Sequence, residues 1–150
     1  MRLTASEDGQ SLLEFALILP LLVSIFVCLT DYAFWAQKAM QLQAAADAGA
    51  VYGTIPGNAS NTTTMTKIAN LSATRSLNGS TGTTVNSNLI YTCTPGGTQV
   101  TSSSLCSGVA PLQYVQVSVK STVSALMPYP GVPSSVALSG WASYRVEGTP

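Results

Sequence analysis

Histidine is absent from the 150 residues, and only 8% of them are charged, six basic against six acidic. A free cytosolic domain carries about a quarter charged residues, so a chain this poor in charge is marked for another setting. Phosphate binding needs clustered Lys and Arg, and with six scattered cations there is no footprint for nucleic acid. Without histidine, and with three cysteines, a zinc site is excluded in practice. Catalysis finds little either: Asp47, Glu147, Lys67, Lys120 and the tyrosines fall in no shared motif, and no G-x-S-x-G or phosphate loop occurs. Enzyme activity is therefore not expected, and no cofactor or metal is implied. One domain with an extension suits this length.

What the chain does have is one long apolar run. Residues 12 to 29 are apolar except for Glu14 and Ser24. As a helix the run spans about 27 Å, close to the ~30 Å hydrocarbon core of a bilayer. Arg2 precedes it, but so do Glu7 and Asp8, and the charge signal for orientation is weak. Residues 31 to 52 contain no proline and are rich in Ala, Gln, Met and Leu, so the helix is expected to continue. Tyr32, Trp35, Ala39, Leu42 and Ala46 recur at helical spacing as a packing stripe, with Asp31, Lys38, Gln41 and Asp47 mostly off it. Gly49 and Gly53 weaken the end, and Pro56 with Gly57 closes it. One helix of roughly 42 residues and ~60 Å follows, lipid-soluble first and amphipathic second.

The polar remainder reads as a small head. Residues 63 to 77 suggest a short helix. Residues 115 to 127 alternate, with Val115, Val117, Val119, Val123, Ala125 and Met127 on one face; residues 136 to 146 repeat the pattern with Val136, Leu138, Ala142, Tyr144 and Val146. "PYPGVPSS" between them forces a turn and an antiparallel pair. Residues 88 to 94 make a third strand, and three strands under a helix are about the least that form a core. Cys93 and Cys106 bracket a polar loop with no structure of its own. Beyond a membrane they are candidates for a disulfide worth about 3 kcal/mol, two free thiols being the other possibility. Cys28, inside the run, reads as a small packing or lipid-facing residue. Trp141 breaks the polar face of its strand, as a binding patch or as packing against the helix. N-x-[ST] at Asn58, Asn61, Asn70 and Asn78 reads as an accident of a Ser/Thr-rich chain.

The acid in the run has two accounts. Ser11-Leu12-Leu13-Glu14 fits a capping box at a helix start. Capping leaves Gly9 and Phe15 unexplained. A glycine, four residues, Glu and an aromatic at the head of an apolar helix resembles the processing site of type IVb prepilins and pseudopilins. The stretch "GQSLLEFALILPLLVSIFVCLTDYAFW" is similar to the TadE-like pseudopilins of the tight-adherence (Flp/Tad) pilus. Gly9, Ser11, Glu14, Phe15, Ala16 and Pro20 match that pattern, with Asp31 after the run. The resemblance covers residues 9 to 50.

It implies a pilin-like α+β fold: a leader at 1–9, a transmembrane helix at 10–30, its amphipathic continuation at 31–55, and an exported head at 56–150. Cleavage would fall between Gly9 and Gln10. Glu14 would pair with the new terminal amine of a neighbouring subunit, because a carboxylate at that depth needs a cation. Glu14, Phe15 and Pro20 are then assembly residues, Pro20 through a possible bend. The implied partners are a prepilin peptidase, the major Flp-type pilin, other minor pseudopilins and an inner-membrane platform protein. Two alternatives stay open: a cleaved signal peptide, ill suited by Glu14, Pro20 and the distance to the small residues at 44 to 50, and a plain anchor that displays a disulfide-stapled binding head outside the cytoplasm.

Overall fold

A computed structural model of the chain describes residues 7–77, 81–102, 104–127, 129 and 131–146. Helix α1 runs unbroken from Glu7–Thr54, 48 residues with Pro20 inside it. Helix α2 covers Thr62–Ser76. Four strands follow: β1 Thr81–Thr92, β2 Gln99–Val100, β3 Leu112–Ser124 and β4 Ser135–Arg145. They form one antiparallel sheet in the order β2-β1-β3-β4. The expected α+β architecture is present, a long N-terminal helix on a small head. The sheet has four strands rather than three, because residues 99 and 100, inside the supposedly structureless cysteine loop, pair with Thr92 and Tyr91. Two residues are too short to show a period in sequence.

The helices cover one face of the sheet. Alternation in β3 buries Val115, Val117, Val119, Ser121 and Val123 on the covered face and turns Gln116, Ser118, Lys120 and Thr122 to the other. From the helices come Leu42, Ala45, Ala46 and Ala50 of α1 and Met65, Ala69 and Ala73 of α2. Ala125 and Met127, expected on the buried face, lie beyond the end of β3, and Met127 is exposed. Asn61 caps α2 by accepting the Thr64 N–H at 3.2 Å, so this member of the N-x-[ST] set has a local role. Asn78 and Glu147 lie outside the described residues.

Helix α1 ends at Thr54, just after Gly53 and before Pro56 and Gly57, as expected; Gly49 and Gly53 do more than weaken that end, since they let the helix approach its neighbours. A Cβ on Gly49 would stand 2.9 Å from the Ala69 Cβ, and one on Gly53 would meet the Met65 Sδ at 2.5 Å and Val115 Cγ1 at 2.8 Å. On the far side, a Cβ on Gly140 of β4 would run into the backbone of Leu42. The packing face is also rotated at its lower end. Tyr32 is 71% exposed, whereas Asp31 is 1% and Lys38 8% exposed. Each buried charged side chain has one backbone partner, and Asp31 Oδ2 is buried with none among the described residues. Leu126 donates its N–H to Asp31 Oδ1 at 2.8 Å, and Lys38 Nζ donates to the carbonyl of Ser76, the last residue of α2, at 3.1 Å. A cation there also suits the negative end of the α2 dipole, and the ammonium lies 5.3 Å from the Phe34 ring centroid.

Candidate functional site

Between Gln10 and Thr30 α1 is largely uncovered, meeting the head only near Ser24–Leu29, where residues 131–133 approach it. Most of its large apolar side chains stand open, Leu17 at 75% exposure, and Val27 is half-buried. The helix is long and apolar enough to cross a membrane, with none of its most apolar stretch buried against the head. Polar atoms within the run are turned back onto the helix: Ser24 Oγ donates to the Leu21 carbonyl and Thr30 Oγ1 to that of Phe26, each at 2.8 Å. Pro20 removes one backbone donor without interrupting the helix. What results is a greasy cylinder that lipid or other helices can surround at no polar cost.

Glu14 is the exception on that cylinder. It is exposed, and Oε1 meets Gln10 Nε2 one turn earlier at 3.4 Å, at the long end of hydrogen bonding. The capping box is not formed as the sequence suggested: the helix starts at Glu7, so Ser11 and Glu14 sit inside it. Gly9 is in the first turn of α1, next to Gln10, while residues 1–6 of the expected leader lie outside the described residues. Gly9, Gln10, Glu14 and Phe15 thus share two turns at the N-terminal end of the bare cylinder, with Phe15 exposed. Pro20 follows farther along.

At the opposite end, Cys93 and Cys106 are joined in a disulfide with Cα atoms 5.3 Å apart. It closes the loop that carries β2 and leaves Cys28 as the free thiol, exposed on the run. Trp141 is 56% exposed rather than packed under α1. Its backbone is held instead: Gln43 Nε2 donates to the Trp141 carbonyl at 2.8 Å, and the Trp141 N–H donates to Gln43 Oε1 at 3.0 Å. One side-chain amide thereby occupies the open edge of β4. Tyr144 Oη donates to Asp47 Oδ1 at 3.2 Å on the same rim, and the Asp47 charge, then the hydrogen bond, raises the phenol pKa. Sequence reasoning missed Asp31, Lys38 and Gln43 as structural partners; the one signal available was an acid placed directly after an apolar run. Among the described residues no group of three or more His, Cys, Asp or Glu could hold a metal.

Residues 9–51 match a family model described as TadE-like protein. The match begins at Gly9 and ends in the last turn of α1, so it coincides with the helix and includes neither α2 nor the sheet. That family is structural and associated with pilus assembly. No curated protein and no solved structure matches the chain.

Proposed function

We propose that the chain is a minor pseudopilin, a structural assembly component of a type IVb (Flp/Tad) pilus or a related secretion apparatus. It is inserted in the inner membrane by the bare half of α1, with the head outside the cytoplasm. It is trimmed between Gly9 and Gln10, then moved by neighbouring subunits into or beneath the pilus. The observation that carries this is the coincidence of the TadE-like match with a helix that is largely uncovered from residue 10 to residue 30 and bears one carboxylate there, Glu14. An uncovered apolar helix needs partners of its own kind, and a carboxylate among them needs a cation. Cleavage supplies one, the new terminal ammonium of Gln10, and the pairing is made between adjacent subunits. Because Gly9 sits in the first turn, the peptidase must open that turn. Glycine lowers the cost, since it gives up helical geometry readily. The partners are the prepilin peptidase, the major Flp-type pilin, other minor pseudopilins and the membrane platform protein.

Intact mass is the test. Co-expression with a type IVb prepilin peptidase removes residues 1 to 9, and Gly9→Val abolishes the loss. Glu14→Ala inserts normally but is not drawn into assemblies. An unchanged mass together with normal behaviour of Glu14→Ala leaves the other arrangement, a tether that displays the disulfide-closed head as a binding module.

A further inference from the structure

In the segment joining β3 to β4, Leu126 and residues 131–133 lie against α1 at and below Asp31. Its position is fixed by the bond from the Leu126 N–H to Asp31 Oδ1. Asp31 stands just beyond Leu29, where the apolar run ends. From that pin the chain reaches back, and Gly131, Val132 and Pro133 share a cleft of about 490 Å³ with Ser24, Ile25 and Cys28. Ser24 precedes Asp31 by two turns, ~10 Å along the axis. If residues 12 to 29 fill a hydrocarbon core of ~30 Å, the segment is level with its outer third.

We propose that the β3–β4 loop is a second membrane contact: it enters the head-side leaflet beside α1, and lipid acyl chains fill the cleft between them. The proposal rests on α1 crossing a bilayer, as in the function proposed above. The loop's chemistry suits that solvent. Residues 125 to 134, "ALMPYPGVPS", carry no charge, and Leu126, Met127 and Tyr129 are exposed. An unpaired backbone N–H in hydrocarbon costs several kcal/mol, which usually bars irregular loops from lipid. Here three of the ten residues are proline and have no N–H. Three more amides are bonded within the protein: Ala125 to the Ser134 carbonyl at 2.9 Å, Leu126 to Asp31, and Val132 to the Tyr129 carbonyl at 3.1 Å. Tyr32 and Trp35 also line the cleft, where aromatic rings of an interfacial belt belong.

Full-length protein in phosphatidylcholine vesicles, with and without acyl-brominated lipid, tests this. Bromine quenches only indoles at acyl depth. The chain has two tryptophans, so Trp35→Phe leaves Trp141 as a head reporter. Replacing both by Phe and adding Tyr129→Trp, Met127→Trp or Phe26→Trp places single reporters in the loop or on the helix. The expected result is loss of most emission at Phe26→Trp and at either loop position, with Trp141 unaffected. Quenching at Phe26→Trp but at neither loop position overturns the proposal and leaves the membrane helix standing. No quenching at Phe26→Trp removes the membrane reading and this proposal with it. Quenching of Trp141 equal to that of the loop overturns it as well, since the whole head would then lie in lipid.

Discussion

The two halves of α1 are one continuous helix with opposite economies of side chains. From Gln10 to Thr30 most residues are large, apolar and exposed; from Asp31 to Thr54 the inward positions include Ala45, Ala46, Gly49, Ala50 and Gly53, and they are covered completely or nearly so. Small residues bring the helix axis close to the sheet and to α2, so the second half gains its stability from backbone proximity. Large residues in the first half do the reverse, presenting area to whatever surrounds them. The change of environment falls at Asp31, where a buried carboxylate accepts a hydrogen bond from the loop after β3. One helix is therefore built for two kinds of surroundings, and residue size rather than helical propensity records which is which.

The sharpest way to break this contrast is to add bulk where the backbones meet. Gly140→Val puts atoms against the Leu42 backbone, which cannot rotate away as a side chain can. The expected cost is about 3 kcal/mol, the upper end for overpacking a core. In thermal unfolding of the full chain in detergent micelles this lowers the head's transition by 10 °C or so, at several degrees per kcal/mol for a unit of this size. The matched change in the bare half, Leu22→Val, is expected to shift it by less than about 0.5 kcal/mol, as for other positions outside the packed structure. Equal effects of the two substitutions would erase the distinction between the halves.

Legibility in the sequence followed the same divide. The apolar run, Gly9, Glu14 and the long helix could be read directly, because composition and local spacing define them. The alternation of Val115, Val117 and Val119 likewise announced β3. What could not be read was set by nonlocal approach. Gly49 and Gly53 look like helix breakers until α2 and β3 are seen to press on them, and Tyr32 looks like packing until Asp31, one residue and about 100° away, is found to face inward. A sequence gives no sign that an aspartate will be buried when its partner is the amide of Leu126, 95 residues on. The N-terminal motif was legible as a family likeness, and the family match over residues 9–51 bears that likeness out.

A middle-sized effect is expected at the junction itself. Asp31→Ala leaves the Leu126 N–H without its acceptor, at a cost of about 1 kcal/mol for a part-buried hydrogen bond. Asp31→Asn keeps a carbonyl oxygen in the same place and recovers most of the loss. Hydrogen exchange distinguishes a local from a global cause: the Leu126 amide should lose protection in Asp31→Ala by more than the amides of Val117 and Val119, which the substitution does not touch. Uniform loss would mean that Asp31 supports the whole head and is no boundary between halves.

The smallest expected effect tests whether the covered half of α1 is also held at its rim. Tyr144 and Asp47 join β4 to the helix where both remain partly open to water. The Asp47 charge opposes formation of a phenolate beside it, and the hydrogen bond holds the neutral phenol, so the Tyr144 pKa is raised above its ordinary value of 10.0. A group whose folded pKa lies above its unfolded value contributes stability that is fully present below the unfolded pKa and is lost as pH rises through the folded one. The contact should therefore be intact at neutral pH and fade in alkali beyond about pH 10. The measurement is a difference: between neutral and strongly alkaline pH, wild type should lose slightly more of its unfolding temperature than Tyr144→Phe. The two-bond grip of Gln43 on Trp141 has no titrating group and should persist through that range. If Tyr144→Phe follows the wild-type profile throughout, the rim contact adds nothing, and close backbone packing alone separates the covered half from the bare one.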